Sequence, residues 1–172
     1  MSNLYLDNNN DRLSLFLNNH ADEFSNIRRD IHQHPELSFQ EYRTSELVAD
    51  LMSSYGFEVN KGIAKTGVVA TLKRGNGDKI IGIRADMDAL PIQEETNLPY
   101  ASQNNGIMHA CGHDGHTTIA IAAAKALAEQ GDFNGTVSFI FQPAEEIGLG
   151  TKTMIKEGLF SKYPMDAIYG LH

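Results

Sequence analysis

The sequence has few of the features that mark several large protein classes. Its 172 residues include a single cysteine, Cys111, so an internal disulfide is impossible and the thiol is a buried small side chain, a ligand or a nucleophile. Fourteen basic residues against 22 acidic ones give a net charge of −8, with no basic stripe for nucleic acid. The longest uncharged apolar run, residues 119–124, is far below the ~20 residues that span a bilayer. We therefore expect no binding to nucleic acid or membrane.

Several catalytic and targeting motifs are also missing. There is no His-Glu-x-x-His zinc motif, no Gly-x-Ser-x-Gly nucleophile turn and no Gly-x-x-x-x-Gly-Lys phosphate loop. One cysteine cannot supply the Cys-x-x-Cys pair of a zinc deaminase. The first ten residues lack the basic start and apolar core of a secretory signal, so the expected compartment is the cytoplasm.

Hydrophobic periodicity predicts helices first and then an alternation of strands and helices. Helices are predicted over about 12–32 (with a break near 18–22), 41–54, 117–129 and 151–157, and strands over 57–59, 67–72, 79–85, 136–141 and 167–171. Residues 86–110 show little periodicity, and a loop that long is usually functional or disordered. The alternation predicts an α/β fold with a mixed, partly parallel sheet and flanking helices.

Side chains able to do chemistry follow three of the predicted strands. Asp86 and Asp88 follow one strand, Glu145 and Glu146 follow another, and His172 follows the last. Sites in parallel α/β sheets collect beyond the carboxyl ends of the strands. The sequence therefore predicts that these side chains meet at one edge of the sheet.

The densest cluster of potential metal ligands lies just before the predicted helix 117–129. Residues 109–116 contain three histidines, one cysteine and one aspartate. Thiolate and imidazole are favoured zinc ligands, and a glycine between Cys111 and His113 permits a tight turn. A lone cysteine or histidine is usually no ligand, but this crowding favours a metal role for both. Asp114 is interpreted either as the N-cap of the helix or as a partner of a ligand.

Glu145 and Glu146 form a second candidate group. Neighbours in a regular strand point to opposite faces, but Pro143 breaks the strand, so both carboxylates could reach one site. One could bind a metal while the other takes a proton from water that the cation has made more acidic. The residues alone do not say which does which, and a solvated pair on a loop is the alternative. Asp86 and Asp88 could orient a histidine ligand or simply mark a turn.

Four segments, taken together, resemble the amidohydrolase branch of the dinuclear metallopeptidase family, which includes hippurate hydrolase. Three are in register: RADMDALPI at 84–92, MHACGHDGH at 108–116 and FQPAEE at 141–146. The earlier HQHPELS at 32–38 fits the same group. The resemblance covers roughly residues 12–172. It implies a zinc-peptidase-like catalytic domain that hydrolyses the amide bond of N-acyl amino acids, hippurate-like small molecules.

The resemblance also implies roles for individual residues. It implies four ligands of a site for two divalent ions, zinc or manganese: Cys111, His113, Glu146 and His172. It makes Glu145 the general base and Asp86 the residue that orients a ligand. His109 and His116 lie close to the site but receive no role.

Members of this family are roughly twice as long as the chain. They carry a second, smaller lid domain that usually dimerises and a further histidine ligand near their C-terminus. By the resemblance, residues 12–172 are the N-terminal part of the catalytic domain, truncated before the lid, after a flexible segment 1–11. We expect a fragment that is inactive and poorly soluble alone, and an intact protein that forms a homodimer through the lid.

Three other functions stay open at this point. The first is a dipeptidase or carboxypeptidase on the same fold. The second is a non-catalytic truncated remnant. The third is a metal-dependent binding protein, which no sequence feature favours.

Overall fold

A mixed sheet of five strands organises the part of the chain that the structure describes. The computed structural model describes the backbone of residues 4–171 and the side chains of residues 12–171. The helices are α1 Leu4–Asn19, α2 Ala21–Gln33, α3 Tyr42–Ser54, α4 His113–Gln130, α5 Gly150–Lys156 and α6 Leu159–Lys162. The strands are β1 Glu58–Ile63, β2 Gly67–Arg74, β3 Ile80–Asp86, β4 Gly135–Gln142 and β5 Ala167–Gly170.

The strand order explains how distant segments reach one edge of the sheet. The order is β1-β2-β4-β3-β5, with β2 antiparallel to β1 and β4, and β3 parallel to β4 and β5. Strands β3, β4 and β5 therefore all end at the same edge, which the loop before α4 also reaches. The predicted fold class, a mixed and partly parallel sheet with flanking helices, is confirmed.

Strand β4 is buried on both faces, which accounts for the consecutive apolar residues at 139–141. Phe139 and Phe141 pack against α3 and α4 in the main core. Ile140, which points the other way, packs with Met154 of α5 and Leu159 of α6. The period-2 alternation of a strand thus places one helical layer on each side of the sheet.

The predicted break in the first helical segment lies at His20, between α1 and α2. Phe16 of α1 and Phe24 of α2 then both pack on Ala126 of α4. The segment 1–11 is predicted to be flexible. In the structure, α1 begins at Leu4, and residues 1–3 lie outside the described residues. The flexibility stays a prediction. Over residues 4–171, no helix is both long and apolar enough to cross a membrane.

The start of α4 differs from the sequence-based prediction by one turn. The helix begins at His113, not near Thr117, and its N-cap is Gly112 with a left-handed φ of +85°. The interpretation of Asp114 as the N-cap is therefore wrong, because Asp114 lies within the first turn. Helical periodicity could not show this early start, because residues 113–116 contain no apolar side chain. The short helix α6 was also not predicted, since four residues carry no clear period.

The edge strand β5 leaves apolar side chains in solvent. Ile168 and Tyr169 are exposed, and Ile81 on the neighbouring strand β3 is exposed as well. Exposed apolar side chains on an open strand edge favour association between chains. The low solubility expected of the isolated 172 residues stays a prediction.

Candidate metal centre

Three of the predicted ligands meet at the carboxyl edge of the sheet. Donor atoms of Cys111, His113 and Glu146 all lie within 4.8 Å of one another. Cys111 is in the loop before α4, His113 is the first residue of that helix, and Glu146 is in the turn after β4. The tertiary structure therefore joins two motifs that are separated by a helix and a strand. The fourth predicted ligand, His172, lies outside the described residues.

His113 is the centre of this arrangement. Its ring is fully buried, and its Nδ1 lies 2.8 Å from the carbonyl oxygen of Asp88, which assigns the ring proton to Nδ1. Its Nε2 is 3.7 Å from Oε2 of Glu145 and 3.7 Å from Oε1 of Glu146. Burial opposes the charged imidazolium, but the contact with Asp88 and the charge of Asp86 outweigh it and raise the pKa of His113. The second ring nitrogen, Nε2, thus faces both glutamates.

The donor set and its unpaired atoms fit a divalent metal ion. Within the described residues, Nε2 of His113 and Oε1 of Glu146 are buried and have no hydrogen-bond partner. Buried polar atoms are rarely left this way, and a thiol, an imidazole and a carboxylate are typical zinc ligands. Cys111 is exposed, but local desolvation of its sulfur, followed by the charges of Glu146 and Glu145, raises the pKa of the thiol. Metal coordination deprotonates a thiol outright and would reverse that shift.

Asp86 makes its close contacts with His116 and Arg84. The sequence predicts that it orients a ligand, yet its Oδ1 accepts from Nδ1 of His116 at 2.7 Å and its Oδ2 pairs with Arg84 at 2.7 Å. Its Oδ2 is 3.6 Å from Nε2 of His113, beyond hydrogen-bond distance. Asp86, His113 and His116 form a second group that could hold a metal ion. The orienting role of Asp86 stays a prediction, and Asp88 makes the contact with Nδ1 of His113.

Asp88 also holds the turn that carries both glutamates. Its Oδ1 accepts from the backbone N–H of Glu145 at 3.0 Å, and its Oδ2 accepts from the N–H of Glu146 at 3.1 Å. The hydroxyl of Ser38 donates to the same Oδ2 at 2.6 Å. Burial alone would favour the neutral acid, but these donors and His113 outweigh it and lower the pKa of Asp88. The turn therefore brings both carboxylates to one histidine, as predicted from Pro143.

His32 and His109 form a buried polar layer beside the site. Oδ2 of Asp114 forms an ion pair with Nε of Arg28 at 2.6 Å and accepts from Nδ1 of His32 at 2.8 Å. The ring of His109 lies 6.4 Å from that of His32 and is buried, with both ring nitrogens unpaired within the described residues. Burial lowers the pKa of His109 to about 4, which keeps the ring neutral. Among residues 12–171, two groups could hold a metal ion, and His109 belongs to neither.

The close packing of the glutamate turn predicts a strong effect of one added methyl group. A Cβ on Gly150 would lie 1.6 Å from the carbonyl oxygen of Pro143, so Gly150→Ala must displace the turn. We expect a loss of about 3 kcal/mol in the free energy of unfolding, measured by urea denaturation. Gly148→Ala is the matched control, because its Cβ would meet nothing within 4 Å, although its φ of +64° is unfavourable for alanine. Equal losses in the two variants would contradict the clash.

Comparison with known proteins places this site in a family. The profile of peptidase family M20/M25/M40 matches residues 82–172, more than half of the chain. Hippurate hydrolase of Campylobacter jejuni is 57% identical over 150 residues, which are 87% of this chain and 39% of that protein. A dinuclear metal-binding M20 peptidase from Bacillus subtilis is 46% identical with a TM-score of 0.82, over 88% of this chain and 42% of that one.

A more distant solved structure shows the fold alone. Human carnosine dipeptidase 1 is 16% identical with a TM-score of 0.76, over 93% of this chain and 40% of that one. The chain thus spans about two fifths of the length of each of these relatives.

Proposed function

Because the chain belongs to peptidase family M20/M25/M40, we propose that the protein is a metal-dependent amidohydrolase that cleaves the amide bond of N-acyl amino acids. The observation that carries the proposal is the meeting of Cys111, His113 and Glu146 within 4.8 Å, with Glu145 on the same turn. The similarity to hippurate hydrolase supports the choice of N-acyl amino acids as substrates.

The metal would be held by Cys111, His113, Glu146 and His172, and we propose two divalent ions, zinc or manganese. The similarity to a dinuclear metal-binding peptidase supports that number. A divalent ion supplies Lewis acidity, which polarises an acyl carbonyl and makes water a stronger acid. The remaining steps fall to side chains of this protein.

Glu145 is proposed as the group that moves the proton. Its Oε2 is 3.7 Å from Nε2 of His113, so it lies beside the ligands and can take a proton from the attacking water. It then delivers that proton to the nitrogen of the leaving amine. Asp88 positions both Glu145 and His113. Its carboxylate accepts from the backbone N–H of Glu145, and its backbone carbonyl accepts from the ring N–H of His113.

The test is a substrate panel on the protein purified from its natural source. Benzoylglycine, acetylated amino acids and unblocked dipeptides are compared at equal concentration, with added Zn²⁺ or Mn²⁺, by the rate of amine release. We expect N-acyl amino acids to be cleaved fastest, with at least a tenfold preference in kcat/KM, roughly what two or more contacts in a pocket provide. A chelator should stop the reaction, and added metal should restore it.

Other outcomes of the same panel would contradict the proposal. Faster cleavage of dipeptides would identify a dipeptidase or carboxypeptidase. Metal binding without turnover of any substrate would favour a non-catalytic protein. The intact mass, compared with the 19.0 kDa of this chain, is measured on the same sample to define what was assayed.

A further inference from the structure

We propose that Glu41 is a positioning residue for the two glutamates of the site, because its carboxylate holds the backbone amide directly before them. Only the expected effect on kcat rests on the proposed function. The contacts that carry the inference belong to the fold and can be tested without a substrate.

Glu41 links three parts of the chain. It is fully buried, directly before α3. Its Oε1 accepts from the backbone N–H of Ala144 at 2.8 Å, and its Oε2 accepts from the hydroxyl of Thr66 at 2.5 Å. Thr66 lies between β1 and β2, and Ala144 lies between β4 and α5. One carboxylate therefore ties the start of a helix and a strand connection to the glutamate turn.

With Asp88, Glu41 pins three consecutive backbone amides. The N–H of Ala144 goes to Oε1 of Glu41, the N–H of Glu145 to Oδ1 of Asp88, and the N–H of Glu146 to Oδ2 of Asp88. Two carboxylates from distant parts of the sequence thus define the path of the turn. Because the side chains of Glu145 and Glu146 follow their backbone, this path sets where both carboxylates lie.

The backbone of Ala144 requires such support. Its φ is +51°, in the left-handed region that alanine rarely adopts. A conformation of this kind costs free energy and persists only where the surroundings hold it. The amide of Ala144 is held by Glu41, and its carbonyl accepts from the N–H of Gly150 at 3.0 Å.

Capping of α3 does not explain the buried carboxylate. The Glu41 side chain makes no capping hydrogen bond to its own helix. The first amides of α3 are instead received by Glu36, which accepts from the N–H of Arg43 at 2.9 Å and of Thr44 at 2.8 Å. Burial raises the pKa of Glu41, so a carboxyl at this depth is costly and is held by the donors of Thr66 and Ala144.

The test compares Glu41→Ala and Glu41→Gln with the control Glu36→Ala. The control removes a carboxylate that bonds the same helix start but does not touch the turn. Glutamine can keep both contacts, because its oxygen accepts from Ala144 and its amide donates to the oxygen of Thr66. Amide hydrogen exchange is measured by NMR at residues 144–146 and at β4, and kcat and KM are measured on the active protein.

We expect Glu41→Ala to speed exchange of the three amides about tenfold more than exchange in β4. We expect kcat to fall about 10²-fold with KM within about threefold, because a small displacement of a catalytic group lowers kcat steeply. Glu41→Gln should show the parent's exchange rates at the three amides and the parent's kcat. Glu36→Ala should neither speed exchange at these amides more than in β4 nor lower kcat in this way. If Glu41→Ala does not fold, Glu41→Asp, which is one methylene too short to reach both partners, replaces it.

Two results would overturn the proposal: equal effects of the Glu41 and Glu36 variants on the turn, or a folded Glu41→Gln variant that is as impaired as Glu41→Ala. A protein that turns over no acyl amide would contradict the proposed function alone. The exchange rates would still decide whether Glu41 holds the turn.

Discussion

Replacing Glu145 with glutamine should lower kcat about 10³-fold, within the range that positioned general bases contribute. Glutamine keeps the size and the backbone contact with Asp88 but cannot accept a proton at neutral pH. Metal content should stay unchanged, because the proposed ligands Cys111, His113 and Glu146 are intact. The measurements are kcat on the preferred acyl amino acid and metal stoichiometry by elemental analysis.

Glu146→Gln is the matched control, since it makes the same chemical change one residue along the same turn. It should lower both metal content and activity, because Glu146 belongs to the proposed ligand set. A kcat within tenfold of the parent would rule out Glu145 as the base. Equal metal loss in both variants would mean that Glu145 is a ligand as well. Metal loss in the Glu145 variant alone would mean that the two roles are reversed.

The second large effect is expected on metal affinity. Cys111→Ala should weaken Zn²⁺ or Mn²⁺ binding at least 10²-fold, because even a residue that only supports a ligand is typically worth ~10–100-fold in affinity. Isothermal titration with the metal alone measures this without any substrate. Full occupancy of the alanine variant at the parent's affinity would show that the thiol is not a ligand.

The single cysteine provides an independent readout of the same site. Cys111 is exposed, so an alkylating reagent reaches it in the metal-free protein. Because the thiolate is the nucleophile, and coordination withdraws its lone pair, added metal should slow alkylation. In the Glu146→Gln variant, metal should protect the thiol less. Unchanged alkylation upon addition of metal would contradict coordination by Cys111.

Several features of the site were predictable because they depend on short segments of sequence. Residues 109–116, which cover the end of the loop before α4 and the first turn of that helix, contain a thiol and three histidines whatever the fold around them. Pro143 ends β4 wherever that strand lies, so Glu145 and Glu146 had to leave the regular alternation of a strand. Two parallel strands ending in acidic residues then predict convergence at one edge.

Other features depend on contacts that no local pattern shows. Asp86 and Asp88 are two residues apart and look equivalent in the sequence. In the structure, Asp86 contacts His116 and Arg84, whereas Asp88 contacts His113 and the glutamate turn. Glu41 appeared only as the start of a helix, because nothing local indicates that its carboxylate reaches Ala144. A signal that could have indicated Glu41 is an acidic residue at a helix start that makes no capping hydrogen bond to the helix.

The sequence by itself determined the class of the protein, the mixed sheet and the residues able to bind metal. The sheet and the candidate ligands follow from residue type and from periods that span a few positions, whereas the class follows from the resemblance of four short segments to a known family. Only the tertiary structure decided which donor atoms share a site, which acid supports which histidine and how the glutamate turn is held. The physical reason is that hydrogen bonds and coordination require matched positions within a few ångströms, and the packing of strands and helices distant in sequence sets those positions.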